Sequence, residues 1–404
     1  MTARIACRTI GGVLRFLTAG ESHGKALNVI VDGLPAGVPV EREVIDADLR
    51  RRQGGYGRGG RMKIEKDAAE ILSGVRHGRT LGSPVSLMVP NLDHENWRDV
   101  MSPEPQPDAA RERRRLRHPR PGHADLAGAL KYGTSDLRNV LERASARETT
   151  ARVAAGAVAR SLLRACGIEV RSHVLRIGQA ALQSKEPVAW ERLSGVDESP
   201  VRSSDAEAGK AMMAEIDRVK KDGDTIGGIV EVVARGVPAG LGSFAEWDRR
   251  LDGRIAQALM SIPAVKAVAI GEGFEGGHTR GSAFHDEILW SARSGLERPT
   301  NRAGGLEGGV TNGEEIRAAA VVKPIPTLLV PLRSIDMATG EPQTASVERS
   351  DTCVVPAAGV VAEAMIALVL GDALLEKAGG DSLDELLAHL VETRRLQRAL
   401  VSPP

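Results

Sequence analysis

The sequence predicts one large domain in which strands and helices alternate irregularly, and three observations carry that expectation. Near the N-terminus, LRFLTAG (residues 14–20) and ALNVIVDG (26–33) alternate apolar and polar positions, as a strand with one buried face requires. Later segments space their apolar residues three and four apart, the helical period. Along all 404 residues no Gly/Ser or Pro tract joins two self-sufficient halves, so the usual mark of a domain boundary is missing.

The second strand runs into Gly33, Leu34, Pro35, Ala36 and Gly37, and a similar unit returns at 229–240 as IVEVVARGVPAG. VIVDGLPAG and VVARGVPAG read as two copies of one strand-and-turn element, an internal duplication, or else as two unrelated strands ending in similar turns. Residues 149–165 are Ala-rich with helical spacing and stop near Gly167. Residues 205–221 place Met212, Met213, Ile216 and Val219 on one side; both read as core-facing helices. Pro356 suits the first turn of a helix running towards Lys377, with Gly379 and Gly380 beyond its end. Ser382 and Glu385 form a capping box for a last helix that carries Leu383, Leu386, Leu387 and Leu390. The polar stretches 98–118 and 183–204 read as surface loops or insertions without a catalytic part.

With 42% hydrophobic and 26% charged residues the chain has material for a substantial core, which excludes disorder and small disulfide scaffolds. A net charge of +1 supplies no global field for nucleic acid or a membrane surface, so anions must be met by local clusters. Cys7, Cys166 and Cys353 are odd in number and lack CxxC spacing, which suits a reducing compartment, the cytoplasm, without a zinc site. The opening MTARIACRTIGG has no apolar core of a secretory signal, and residues 1–13 read as a disordered extension ahead of a domain at 14–400. The apolar run 354–370 contains Glu363 and reads as a buried helix rather than a membrane span.

Residues 50–61, RRRQGGYGRGGR, set guanidiniums on a backbone with little side-chain bulk, a loop able to wrap phosphate or carboxylate through paired donors. Gly55, Gly57 and Gly60 satisfy GxGxxG in form, but Arg and Gln precede them instead of an apolar strand, which excludes the dinucleotide fingerprint. His23, in the turn after the first strand, and His123, three residues beyond Arg120, are candidate proton donors as well as ordinary turn histidines. Arg143, Ala144, Ser145 and Arg147 precede a helix whose free amides favour an anion, although Ser145 also suits a simple cap. Lys323, Pro324, Ile325, Pro326 and Thr327 combine a cation and a hydroxyl on a fixed backbone. The glycines between 304 and 309 admit a flat ligand. Arg349 with Asp351 is either a local ion pair or a paired cation and base.

GESHG (20–24), RPGHAD (120–125), ERASARET (142–149) and RSD (349–351) occur in that order, and from residue 14 to about 390 the chain resembles the chorismate synthase family. The resemblance implies an α+β fold with helices sandwiched between antiparallel sheets, an internal pseudo-duplication and a homotetramer. It implies 1,4-anti elimination of phosphate from 5-enolpyruvylshikimate 3-phosphate to give chorismate, the last step of the shikimate pathway, with reduced FMN that is not consumed. By resemblance His23 protonates the departing phosphate, His123 partners the flavin's pyrimidine edge, and Asp351 assists removal of the ring proton. Arg52, Arg58, Arg61, Arg120, Arg147 and Arg349 would line the site. FMN would be held by Arg143, Ala144, Ser145, Pro263, Ala264, Gly308, residues 323–327 and Arg349. Where the family commonly has Gln or Asn, Pro263 offers no side-chain hydrogen bond.

Some members reduce their flavin with NADPH, for which Arg52 and Arg58 would serve, and others depend on an external flavin reductase. Two guanidiniums ~7 Å apart repel by roughly 2 kcal/mol at an effective dielectric of ~20, so an empty arginine cluster is expected to be frustrated until a polyanion arrives. Residues 50–61 are accordingly expected to be mobile when empty and to close over the ligands. The competing readings are another flavin- or nucleotide-dependent enzyme acting on a phosphorylated acid, and an RNA-binding protein using 50–61 and 111–120 as basic arms. The resemblance implies neither a nucleic-acid nor a membrane partner.

Overall fold

The computed structural model describes residues 12–59, 66–184, 186–291, 295–348 and 350–401; the expected N-terminal extension lies almost wholly outside them. Two antiparallel sheets enclose a layer of helices. The first sheet orders Arg15–Ala19, Ala26–Asp32, Val85–Pro90 and Glu70–Ser73. The second orders Val265–Ile270, Ile316–Val322, Gly228–Arg235, Glu169–Ile177 and Ala180–Ala181. Alternation decides which face is inside: Leu27, Val29 and Val31 are buried with Val85, Leu87 and Val89, while Ile30 between them faces out, as the two-residue period of a strand dictates.

The helices Thr149–Ala165 and Val355–Ala378 form the filling, the former against the first sheet and the latter against the second. They approach closely where Gly156 meets Ala364: a Cβ on Gly156 would sit 2.3 Å from that of Ala364. Apart from Glu363, residues 355–371 of Val355–Ala378 are apolar on every side, which only a helix enclosed by protein can be in water. It is long and apolar enough to cross a membrane, yet 89% of its apolar window is buried inside the fold. Pro356 occupies its first turn as expected. Of its acids Glu363, Asp372 and Glu376, Glu363 is fully buried and is met by Arg51 at 2.8 Å, Arg202 at 2.9 Å and Arg160 at 3.4 Å.

The duplication shows in hydrogen bonds. After each strand the GxPAG turn is closed by a threonine: Thr80 Oγ1 donates to Pro35 O at 2.6 Å and accepts from Val38 N at 2.9 Å. Thr311 Oγ1 likewise donates to Pro238 O at 2.7 Å and accepts from Leu241 N at 2.8 Å. Gly37 N donates to Thr80 O and Gly240 N to Thr311 O, and both glycines have positive φ, 88° and 91°. Val85–Pro90 and Ile316–Val322 each start five residues after their threonine and pair antiparallel with their own copy's strand. The two sheets are thus two copies of one unit.

The helix Ala206–Lys221 starts with Asp205 as its N-cap, accepting from Ala208 N at 2.9 Å. Leu383–Val401 opens on the capping box of Ser382 and Glu385. Residues 183–204 are more than a surface loop. A 3-10 helix, Trp190–Glu198, buries Trp190, Leu193 and Val196 against Val233 and caps one face of the second sheet. The three buried residues recur at every third position, the 3-10 period, which a reading tuned to α-helix and strand periods passes over.

Candidate active site

A cavity of about 1420 Å³ opens beside the N-terminal end of the core helix, and nearly every motif noted above reaches it. One side is apolar: Ile262, Pro263, Ala264, Ile325 and Pro326 face Val354, Ala357, Ala358 and Val361 of that helix. The other is polar, with arginines outnumbering the carboxylates of the wall. The volume exceeds the usual range for one drug-sized ligand, ~300–1,000 Å³.

His23 sits 8% exposed in the turn between the first two strands. Its Nδ1 lies 2.9 Å from Glu142 Oε1 and 3.1 Å from Oε2, and its backbone N–H donates to Glu142 Oε2 at 2.8 Å. Trp97 stacks on the imidazole, ring centroids 3.8 Å apart, and the Arg114 guanidinium lies 3.8 Å from the Trp97 ring centroid. Burial alone would raise the Glu142 carboxyl, but hydrogen bonds from His23 and the charge of Arg138 outweigh it and hold it below the usual range.

His123 has a similar arrangement: Nδ1 lies 2.6 Å from Asp125 Oδ1, and the Arg120 guanidinium bonds both oxygens of that carboxylate at 2.8 and 3.0 Å. Burial opposes ionisation of Asp125, yet the bonds from His123 and Arg120 hold it far below the usual carboxylate range. Arg120 Nη1 also donates to Thr327 Oγ1 at 2.9 Å, tying RPGHAD to the 323–327 stretch. Lys323 Nζ donates to Gly122 O, and Lys323 N to Ala264 O at 2.9 Å, so the two stretches expected to touch the flavin adjoin.

The arginines are not a frustrated cluster, which corrects the expectation from the sequence. Arg147 binds Asp67 at 2.6 Å and Asn91 at 3.0 Å; Arg52 lies 3.7 Å from the same aspartate and donates to Thr149 Oγ1 at 2.9 Å. Arg58 pairs with Asp351 at 3.0 Å, and Arg138 with Glu348 at 3.1 Å. Each carboxylate cancels most of the mutual repulsion, because at these distances attraction exceeds repulsion between guanidiniums farther apart.

Nor is 50–61 an open loop over its described part. Arg50 to Gln53 end the helix Arg42–Gln53. Beyond it Tyr56 N donates to Pro200 O, Tyr56 Oη to Asp217, and Gly59 N to Asp351 Oδ1 at 2.6 Å. Gly57, at φ 86°, fits where a Cβ would lie 2.9 Å from Ile216 Cγ2. The expected mobility has no support in these docked residues; Gly60 and Arg61 lie outside the described residues, as does Arg349.

Other expectations separate. Ala144 and Ser145 line the cavity, but Arg143 turns away and donates to Gly20 O and Thr18 O at 3.0 Å each. As expected, these residues precede a helix, Thr149–Ala165, but Arg143 and Ala144 also end the one before it, Arg138–Ala144, and Ser145 caps an intervening 3-10 turn by accepting from Arg147 N. Gly308 sits in the hairpin between Leu306–Glu307 and Val310–Thr311 and does not line this cavity. Pro263, Ala264, Lys323, Ile325, Pro326 and Thr327 line the wall; Pro324 does not. Ala264 holds φ 72°, rare for a residue with a side chain.

Trp97, Arg114, Asp67, Asn91, Glu142 and Glu348 were missed. Arg98, Asp99, Val100, Arg113 and Arg114 also reach the wall, so the 98–118 stretch is not a bystander loop. Glu142 stands inside a block singled out for its arginines and serine. Trp97 is one of only four tryptophans in the chain, a composition cue that its sequence distance from His23 conceals.

A family model described as chorismate synthase matches residues 14–375. The chorismate synthase of Moorella thermoacetica is 59% identical over 383 residues, covering 95% of this chain and 99% of that protein. That of Listeria innocua is 55% identical over 386 residues, covering 95% and 100%. A crystal structure of chorismate synthase superposes with a TM-score of 0.77 at 43% identity, covering 96% of this chain and 98% of the other. With the same block order and the same helices between antiparallel sheets, the chain belongs to the chorismate synthase family.

Proposed function

We propose that this chain converts 5-enolpyruvylshikimate 3-phosphate to chorismate and phosphate in the cavity between His23 and His123. The observation that carries the reading is the mixed wall: arginines suited to a phosphate and two carboxylates, together with an apolar lining suited to an isoalloxazine. In the elimination the ring carbon–oxygen bond to phosphate breaks, a ring proton is lost across the double bond, and a conjugated diene forms. No hydride or electron remains transferred.

Arg52, Arg58, Arg120 and Arg147 bind the substrate's anionic groups, already oriented by Asp67, Asp351, Asp125 and Asn91, so little order is lost on binding. His23, with Nδ1 on Glu142, donates a proton from Nε2 to the departing phosphate. Asp351 is the acceptor for the ring proton. Arg61 and Arg349 complete the binding set by family resemblance.

The residues fit FMN: Pro263, Ala264, Ile325 and Pro326 offer apolar lining for a ring system, with Lys323, Thr327, Ala144 and Ser145 also on the wall. When bound, the reduced flavin supplies electron density to the substrate during carbon–oxygen cleavage. By family resemblance His123, held by Asp125, would partner its pyrimidine edge. NADPH at Arg52 and Arg58, or an external reductase, keeps the flavin reduced. The protein works in the cytoplasm and assembles as a homotetramer. Leu17 and Ile30, cross-strand partners 72% and 45% exposed on the first sheet, suit an interface between copies.

Arg52 and Arg120 are too deeply buried to serve as basic arms for RNA. Anaerobic incubation with the substrate and reduced FMN tests the proposal: chorismate should appear with flavin present and not without it. Absence of product in the presence of bound flavin would reject the assigned substrate.

A further inference from the structure

We infer that Glu142 is the positioning residue of the proton donor, fixing the tautomer and charge of His23 while Trp97 fixes the plane of its ring. The inference deepens the proposed function and rests on His23 being the acid there. Three geometric facts carry it. Glu142 Oε1 lies 2.9 Å from His23 Nδ1, so the proton on that nitrogen points at a carboxylate and Nε2 is left to face a ligand. Glu142 Oε2 simultaneously accepts the His23 backbone N–H at 2.8 Å, and Ser22 N donates to Glu142 O at 2.9 Å. The turn and the imidazole are therefore fastened to one residue of the helix Arg138–Ala144. Finally, Trp97 covers a face of the ring at 3.8 Å, which prevents the ring from rotating out of line.

The charged and titratable groups around the pair are few. Glu142, 3% exposed, places its carboxylate against Nδ1 of the imidazole. Arg138 lies 3.4 Å from Glu142 Oε1, and its other nitrogen is engaged by Glu348. Arg114 is separated from His23 by Trp97, and His94 touches only the His23 backbone carbonyl at 3.2 Å. Glu142 is thus the carboxylate in contact with the ring, and its place at Nδ1 sets the tautomer. The balance of the step is simple: His23 Nε2–H gives its proton to the phosphate oxygen, the remaining proton stays on Nδ1 against Glu142, and bulk water later reprotonates Nε2.

A structural role alone would make Glu142 matter only for folding, so the test reads protonation as well as rate. In the unaltered chain, nitrogen NMR of His23 should show the neutral ring protonated at Nδ1. A neutral ring protonated at Nε2 overturns the inference, whatever the variants do. In Glu142→Gln, which keeps size and removes charge, kcat should fall ~10- to 100-fold with KM changed less than about threefold. The alkaline limb of its kcat–pH profile should move down by about one unit or more. Glu142→Asp keeps the charge and should leave that limb in place even if the longer contact slows the rate. A Glu142→Gln profile and NMR titration that match the unaltered chain, with His23→Ala inactive, overturn the positioning role alone. A fully active His23→Ala overturns the assignment of the acid itself.

Discussion

Arg147 Nη1 lies 2.6 and 2.7 Å from the two carboxylate oxygens of Asp67, and the side chains are 3% and 1% exposed. The pair makes the cationic wall a preorganised surface instead of a set of repelling charges. Removing one partner of a buried pair leaves the other uncompensated, which costs about 3–5 kcal/mol. Asp67→Ala is expected to lower unfolding stability by roughly that amount and to weaken substrate binding, because Arg52 and Arg147 lose a common anchor. Urea unfolding and a substrate titration check both parts. A stable variant with unaltered affinity would show that the pair orients nothing.

The twin threonines offer a test of the duplication as a physical fact. Thr80→Val and Thr311→Val each keep shape and delete one donated and one accepted hydrogen bond at a position 3% exposed. Each should destabilise by about 2 kcal/mol, because the stranded backbone groups have no water to turn to. Denaturant midpoints that differ widely between the two would mean the turns are alike in outline and different in energetics.

Glu363 makes stability depend on acid. Burial would raise its carboxyl, but Arg51, Arg202 and Arg160 outweigh burial and hold it at about 2. A folded value below the unfolded one stabilises the fold at pH above the unfolded value, ~4.3, and that contribution is lost as pH falls towards the folded one. It is on the order of 3 kcal/mol. Glu363→Gln should therefore be less stable than the unaltered chain at pH 7, with the gap closing between about pH 4.5 and 2. A gap that stays constant across that range, read by chemical unfolding, would contradict the charge assignment.

Ser145 and His23 should separate binding from chemistry. Ser145→Ala removes the cap on Arg147 N and a hydroxyl from the wall, and is expected to weaken FMN retention. His23→Ala is expected to abolish most turnover while FMN binds nearly as before. Fluorescence titration of FMN alongside turnover distinguishes them. Equal flavin affinity in the unaltered chain and Ser145→Ala would remove Ser145 from the cofactor site.

Local rules made much of this legible. The helix at 149–165, the Asp205 start, Pro356 and the Ser382/Glu385 box all follow from periodicity and capping, which act within a few residues. The repeated GxPAG turn exposed the duplication, although Thr80 and Thr311, which close the two turns, lie some 40 and 70 residues beyond them. The site was half legible: blocks that meet at the cavity were visible, but pairing was not. Asp67 with Arg147, Glu142 with His23 and Trp97 over His23 join positions 80, 119 and 74 residues apart, and no local pattern encodes them. For the same reason the arginines looked repulsive when read without their carboxylates, and Arg143 and Gly308 were placed with a site they do not face.

The most direct measurement is a single turnover under anaerobic conditions, following chorismate, phosphate and the flavin spectrum together. The account predicts chorismate and phosphate in equal amounts with the flavin still reduced at the end. Phosphate without chorismate, or product formed only as flavin is oxidised, would contradict it.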